Sequence, residues 1–293
     1  MTAQPRGSNM QGIAWMVLAM AAFAVEDALI KFAARTLPVG EVLMVFGAGG
    51  ALVFAASGWR SAKPLFHPDV WTRTMGVRAG FELTGRLFYG LAIALTPLSS
   101  ATAILQATPV LVVLGAKVYF GEQVGWRRWC AVVVGLAGVL IVLRPASSDF
   151  SWLSLLTVIG LIGFAGRDLA SRAVPATLDV RHLGFYGFST ACVAGALYAV
   201  WDSRPFVMPG AAQAQVLVAA FLVGAGAYTA LMKAMRAGDI AAVTPFRYTR
   251  LLFGVGMGAV AFGERVDSRM LLGCGVILLA GLLIVWDGWR RRR

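Results

Sequence analysis

Apolar residues run along this chain in long blocks that short polar stretches interrupt, and neither the two-residue alternation of a half-buried strand nor a one-sided helical stripe recurs. A helix needs roughly 20 mainly apolar residues to cross a bilayer. Blocks of that kind lie at about 11–34, 39–57, 74–95, 99–120, 126–143, 152–174, 182–201, 214–235, 240–262 and 267–286. In hydrocarbon, a spanning helix satisfies its backbone groups internally. The pattern therefore predicts an all-α polytopic membrane protein of ten transmembrane helices.

The ends of these blocks carry the marks of two interfaces. All nine tryptophans (Trp15, Trp59, Trp71, Trp126, Trp129, Trp152, Trp201, Trp286 and Trp289) fall at or near a block end, as an aromatic belt requires. Basic residues divide unevenly. One side collects Arg6, Arg60, Lys63, Arg73, Arg78, Arg127, Arg128, Arg172, Arg181, Lys233, Arg236 and the tail Arg290 to Arg293. The other has Arg35, Arg144, Arg204, Arg265 and Arg269. By the positive-inside rule, both termini are expected in the cytoplasm.

Composition agrees. Hydrophobic residues make up 59% of the 293 and charged residues 14%, against about 25% charged in ordinary soluble domains. A net charge of +12 in a soluble chain would point to nucleic acid. Here the cations sit at block ends, a topology signal with no phosphate-binding face, so no nucleic-acid partner is expected. Cys130, Cys192 and Cys274 lie inside apolar runs, odd in number and without paired spacing, which argues against a disulfide framework or a zinc site. No cleavable signal peptide, metal or cofactor is predicted.

The chain also repeats itself. Phe120-Gly121-Glu122 recurs as Phe262-Gly263-Glu264, and Thr102 recurs as Thr244, 142 residues later. Within one residue of that offset, Phe23-Ala24 with Asp27 and Lys31 answers Phe164-Ala165 with Asp168 and Arg172. The expected halves are 11–143 and 152–286. Each holds five blocks, an odd number, so the second half lies inverted relative to the first. Inverted repeats are the architecture of solute carriers.

Within the blocks, Lys31, Arg86, Lys117, Arg167, Arg247 and Arg250 meet the acids Glu26, Asp27, Glu82 and Asp168. A charge at mid-bilayer costs about 2.5–3.5 kcal/mol on insertion scales, so such residues face partners or a water-filled cavity. Asp27 with Lys31, and Asp168 with Arg172, have the i, i+4 spacing of an ion pair; with Glu26 they are candidate coupling or gating elements. Arg78, Glu82 and Arg86 form a ladder on the third block with Tyr89 one turn on; Arg78 is near enough to the end to snorkel. Thr244-Pro245-Phe246-Arg247-Tyr248-Thr249-Arg250 is the densest polar run. Pro245 there, and Pro109 within Gln106-Ala107-Thr108-Pro109, remove a backbone N–H and mark helix breaks in matching places. Arg86, Glu82, Tyr89, Tyr228, Arg247, Tyr248, Arg250 and Gln106 are the candidate substrate-binding residues. Glycine runs such as Gly254–Gly258 serve close helix packing, inside a monomer or across a homodimer.

The repeated Phe-Gly-Glu, followed by apolar helices ending Gly-Leu-Ala-Gly-Val-Leu-Ile-Val-Leu at 135–143 and Leu-Leu-Ala-Gly-Leu-Leu-Ile-Val-Trp at 278–286, resembles the drug/metabolite transporter superfamily. More narrowly it resembles the EamA-type permeases, over about residues 11–287. Thr244-Pro245-Phe246-Arg247-Tyr248 with Asp168 is similar to the S-adenosylmethionine uptake carriers of that superfamily, which also holds riboflavin and amino-acid carriers. The resemblance implies a bacterial inner-membrane protein with a central cavity and alternating access. Arg250 departs from the acid expected there, which shifts the expectation from a sulfonium cation to a carboxylate or phosphate.

The function expected is therefore secondary transport of a small polar metabolite, anionic or zwitterionic. An intramembrane hydrolase would need a nucleophile–base pair or a metal-binding His cluster in the spans, and neither His67 nor His182 is deep. A lipid or multidrug exporter fits poorly with three deep arginines.

Overall fold

The computed structural model describes residues 6–57, 64–120, 126–143, 151–171, 173–175, 177–237 and 244–290. It is built from helices, and no strand occurs among the described residues. In chain order they are α1 (Arg6–Ala33), α2 (Val39–Ala56), α3 (Arg73–Leu95), α4 (Leu98–Leu105), α5 (Thr108–Phe120), α6 (Trp126–Leu143), α7 (Ser154–Ser171), α8 (Val180–Asp202), α9 (Ala211–Ala237), α10 (Thr249–Phe262) and α11 (Ser268–Arg290). Short 3-10 turns at Pro68–Trp71 and Thr244–Tyr248 precede α3 and α10.

Six stretches among the described residues are long and apolar enough to cross a membrane: Met10–Ala33, Val39–Ala56, Leu98–Tyr119, Ser154–Ser171, Val180–Asp202 and Ala211–Ala234. Among the described residues the other expected spans do not meet that standard: Arg73, Arg78, Glu82 and Arg86 crowd α3, and the apolar stretches described in α6 and α11 are Trp129–Val142 and Ser268–Leu283. The described part of the expected ninth block is a 3-10 turn plus a helix of 14 residues.

The expected fourth helix is also two, and the reason is local. At the end of α4 the N–H groups of Gln106 and Ala107 bond to the carbonyls of Ala103 and Ile104, three residues back. The tightened turn ends one helix and starts the next. Pro109 is the second residue of α5, where its missing N–H breaks no intrahelical bond. On the 142-residue offset, the break at Gln106–Ala107 falls on Tyr248–Thr249, the junction between the second 3-10 turn and α10. The two halves break their helices at the same place.

The helix pairings repeat with the sequence. On the offset, α1, α2, α3 and α6 correspond to α7, α8, α9 and α11. α1 packs on α9 and α3 on α7, a mirrored pair; α2 packs on α8 and α6 on α11, each on its own counterpart. Small residues allow the closest of these crossings. A Cβ on Gly47 would stand 2.1 Å from the backbone nitrogen of Cys192, and one on Gly163 would stand 2.3 Å from that of Gly85. Outward faces carry exposed apolar side chains, among them Leu18, Leu52, Leu140, Leu197, Leu222 and Leu282, as a lipid-facing surface does.

The Phe-Gly-Glu motif has a structural account in its second copy. Phe262 ends α10, and Gly263 takes the left-handed conformation (φ 65°) that glycine adopts freely. The Gly263 N–H then returns to the carbonyl of Ala259, an αL helix stop, and the Glu264 N–H to that of Gly258. Glu264 is thereby aimed at α4, whose preceding residue Pro97 offers no side-chain cap. Its carboxylate accepts the N–H of Leu98 at 2.6 Å, the N–H of Ser99 at 2.9 Å and the Ser99 hydroxyl at 2.6 Å. In the first copy, Gly121 and Glu122 lie outside the described residues. His182, expected at a block end, is fully buried in a capping box with Asp179 at the start of α8.

Candidate functional site

Nine charged side chains converge from four elements: Glu26 and Asp27 of α1, Arg78, Glu82 and Arg86 of α3, Arg167 and Asp168 of α7, and Arg247 and Arg250 around the start of α10. The pairing between α3 and α7 follows from the crossing already described. α7 lies close on α3 through Gly85 and Gly163, which brings Arg167 within 3.4 Å of Glu82. Arg78 meets the other Glu82 oxygen at 2.8 Å, and Arg86 lies 3.8 Å from the first. One carboxylate thus serves three guanidiniums. Arg86 also reaches Glu26 at 3.5 Å and lies over the rings of Phe46 and Phe188.

The second group centres on Asp27. Its Oδ2 accepts from Arg250 Nη2 at 2.6 Å and from the Tyr89 hydroxyl at 3.0 Å. Phe23 lies against the Arg250 guanidinium at 5.0 Å. The third group is the most exposed. Asp168 takes Arg167 at 2.8 Å and Arg247 at a loose 3.8 Å. Side-chain exposure rises from 3% at Asp27 to 34% at Arg247, so the cluster is most open at Arg247 and Asp168. Gln106, at the break after α4, donates to the Arg247 carbonyl at 3.1 Å and ties the two broken helices together.

Tyr248 and Tyr228 flank this arrangement. Tyr248 packs so closely on α11 that a Cβ on Gly281 would stand 1.9 Å from its ring. Tyr228 of α9 is buried edge-on to Phe54. Pro245 is the second residue of the 3-10 turn.

Several expectations need correction. Asp27 and Lys31 do not pair: Lys31 Nζ turns to the carbonyls of Ile93 (3.2 Å) and Thr96 at the end of α3, with Glu264 at 3.7 Å. The reason is competition, since Arg250 and Tyr89 already hold Asp27. Arg78 does not snorkel; its side chain is buried between Glu82 and Ser171. Arg172, the expected partner of Asp168, lies outside the described residues. Arg167, left out of the expected site, pairs with Glu82 and Asp168 in the cluster. Its signal was in the repeat: 141 residues back stands Glu26, a site acid.

Five guanidiniums face four carboxylates here, an excess of one positive charge if all are ionised. Each buried ion loses several kcal/mol of hydration, and replacing such pairs by apolar residues is often neutral or stabilising. The cluster is therefore a poor stabiliser, which makes it the candidate site. Among the described residues no group of His, Cys, Asp and Glu could hold a metal ion.

Comparison with known proteins decides the family. Residues 10–144 and 151–286 each match the EamA-like transporter family. This chain belongs to that family. The EamA-family chain is 28% identical to a riboflavin transporter of Rhizobium johnstonii, over 96% of this chain and 93% of that one. It is 25% identical to an S-adenosylmethionine uptake transporter of Rickettsia prowazekii, covering 95% and 93%. A pseudopaline exporter of Pseudomonas aeruginosa is 27% identical, covering 92% and 94%. A solved crystal structure at 19% identity superposes with a TM-score of 0.62 over 99% of this chain and 100% of that chain, a likeness of fold. The EamA-family chain is thus a membrane transporter and not an enzyme, a multi-pass protein of the bacterial inner membrane.

Proposed function

We propose that this EamA-family chain is a secondary carrier for a small anionic or zwitterionic organic metabolite. It has ten spans, both termini in the cytoplasm, and inverted halves at 11–143 and 152–286 that expose the site to each side in turn. The observation that carries the reading is the guanidinium excess of the cluster at the second helix break, with Arg247 loosely held and the most accessible. Arg247 receives an anionic group first; Arg86 and Arg250 hold it deeper, the planar fork suiting carboxylate or phosphate. Tyr89, Tyr228, Tyr248 and Gln106 contribute hydroxyl, ring and amide contacts, and Glu82 holds Arg86 in position. Glu26, Asp27, Lys31, Asp168 and Arg172 serve coupling or gating, and Pro109 and Pro245 mark the breaks.

The relatives' names fix neither cargo nor direction, since two name uptake or transport and one names export. The cargo of the S-adenosylmethionine carriers bears a sulfonium. In this chain the acids that would face such a cation are already held by arginines.

A thermal-shift screen of dicarboxylates, amino acids, flavins, phosphorylated metabolites and S-adenosylmethionine tests the class. We expect anionic members to raise the unfolding temperature, and Arg247→Ala to lower proteoliposome uptake of the best of them at least about tenfold, the loss of a charge-assisted contact. Stabilisation by cations alone, or unchanged uptake by Arg247→Ala, sinks the reading.

A further inference from the structure

Asp27 is held as a bound anion would be. One carboxylate oxygen takes both Arg250 Nη2 and the Tyr89 hydroxyl, at 2.6 and 3.0 Å, in a place where only 3% of the side chain is exposed. Arg250 Nε is buried too and has no hydrogen-bond partner among the described residues. The guanidinium fork is therefore used on one prong, whereas a free carboxylate can take two in parallel. No other carboxylate is paired with Arg250 among the described residues. Glu26 differs, because Arg86 is shared with Glu82, so releasing Glu26 leaves no vacant cation.

We propose that Asp27 is a built-in competitor for the anion place on Arg250, which a proton removes and a substrate carboxylate then fills. This rests on the anion-carrier reading above and adds its coupling. A proton taken up from one side neutralises Asp27, which lets go of Arg250. The substrate carboxylate binds Arg250 through Nη2 and the idle Nε. After the site turns to the other side, the anion leaves, Asp27 gives up its proton there and returns to Arg250. One proton thus travels with one anion, and Tyr89 hydrogen-bonds whichever group holds the place.

The other charged groups around Asp27 have partners of their own. Beside it on α1 stand Glu26, bound to Arg86 of α3, and Lys31, bound to Thr96 and Glu264. α3 also presents Tyr89 and α10 presents Arg250; the turn before α10 presents Arg247, which is paired with Asp168 of α7. From α2 and α9, Phe46 and Gly224 approach Glu26, and neither carries a charge.

Formate, the smallest carboxylate and still ionised in mild acid, is the probe. It is compared with chloride at equal ionic strength on the purified full chain in detergent. Removing Asp27 in Asp27→Ala should let formate raise the unfolding temperature by roughly 3 °C at neutral pH once it exceeds its dissociation constant about tenfold. Adding Arg250→Gln should cancel that rise. The wild type should respond in mild acid and not at neutral pH, a measurement that needs no variant. An equal response at both pH values, or none at either, overturns the proposal, as does a formate-blind Asp27→Ala that melts cooperatively. In proteoliposomes, an acid exterior should speed wild-type uptake of the screened anion by up to about tenfold per pH unit, and Asp27→Asn should lose that acceleration. If Glu26→Gln loses it and Asp27→Asn keeps it, the proposal fails. Failure of the formate arm leaves the carrier reading to its own uptake test; success there with no uptake removes the carrier reading alone.

Discussion

The break between α4 and α5 and the break before α10 occupy the same place in the two repeats, yet they carry opposite kinds of residue. Leu105 and Thr108 stand on the first where Arg247 and Arg250 stand on the second. The first break is a packing device: α4 is buried nearly throughout, and Gln106 reaches across to its partner's backbone. The second break holds guanidiniums against acids from α1 and α7. Duplicated backbone thus sets where a helix stops, and unduplicated side chains set what the stop binds.

The sharpest way to break this contrast is to exchange the chemistry. Arg250→Ala should lower uptake at least about 100-fold, since it removes one partner of a buried charge pair. Thr108→Ala, its counterpart, should change uptake less than about twofold. Arg250→Ala should also cost about 3–5 kcal/mol of stability by stranding Asp27, and Asp27→Asn added to it should restore most of that in a detergent melt. Comparable uptake losses at both positions would end the asymmetry argument.

Gly281→Ala tests whether the second break depends on its neighbour helix. Gly138 stands at the matching position of the first half and packs on Ile277 of α11, whereas a methyl on Gly281 would meet the Tyr248 ring. Overpacking of that kind costs about 1–3 kcal/mol, and uptake should fall with it; a variant that melts and transports as the wild type does removes Tyr248 from the site. Glu264→Ala comes next. Loss of the cap on α4 should cost about 1 kcal/mol, seen as a lower melting temperature that Glu264→Gln, able to accept one of the same bonds, partly recovers.

The smallest effect lies outside the membrane, at the capping box of α8. Burial raises the Asp179 pKa, but the His182 side chain and the backbone N–H groups of His182 and Arg181 outweigh it, and the net direction is down. A carboxylate lowered by folding adds stability above its unfolded pKa and loses it as the pH falls through the folded one. The melting temperature of Asp179→Asn should therefore converge on the wild type's in acid and lie below it near neutrality; a gap that widens in acid contradicts the assignment.

Much of this was legible in the sequence. The two halves, the helical class, the deep charges and the two breaks follow from block length, repeat offset and the expense of ions in hydrocarbon. What could not be read was partnership. Asp27 and Lys31 look paired because they are four residues apart on one helix, but helix crossings bring Arg250 and Tyr89 closer. Arg78 looked peripheral because depth was counted along its own helix, while Ser171 and Glu82 close over it. Arg167 shows that the repeat can find a site residue even when charge is reversed, since its counterpart is Glu26. The role of Glu264 was out of reach because its targets, the N–H groups of Leu98 and Ser99, belong to the other half.

Tyr248 rests on Gly281 of α11, and the next residue, Leu282, is exposed on the outward face with Leu279 and Trp286 nearby. A single helix thus separates the proposed binding residue Tyr248 from the acyl chains. A thicker bilayer that tilts α11, or one whose lateral pressure presses on it, acts on the Tyr248 ring through a contact without slack. If Tyr248 lines the proposed site, substrate affinity should vary with lipid composition and differ between detergent and bilayer.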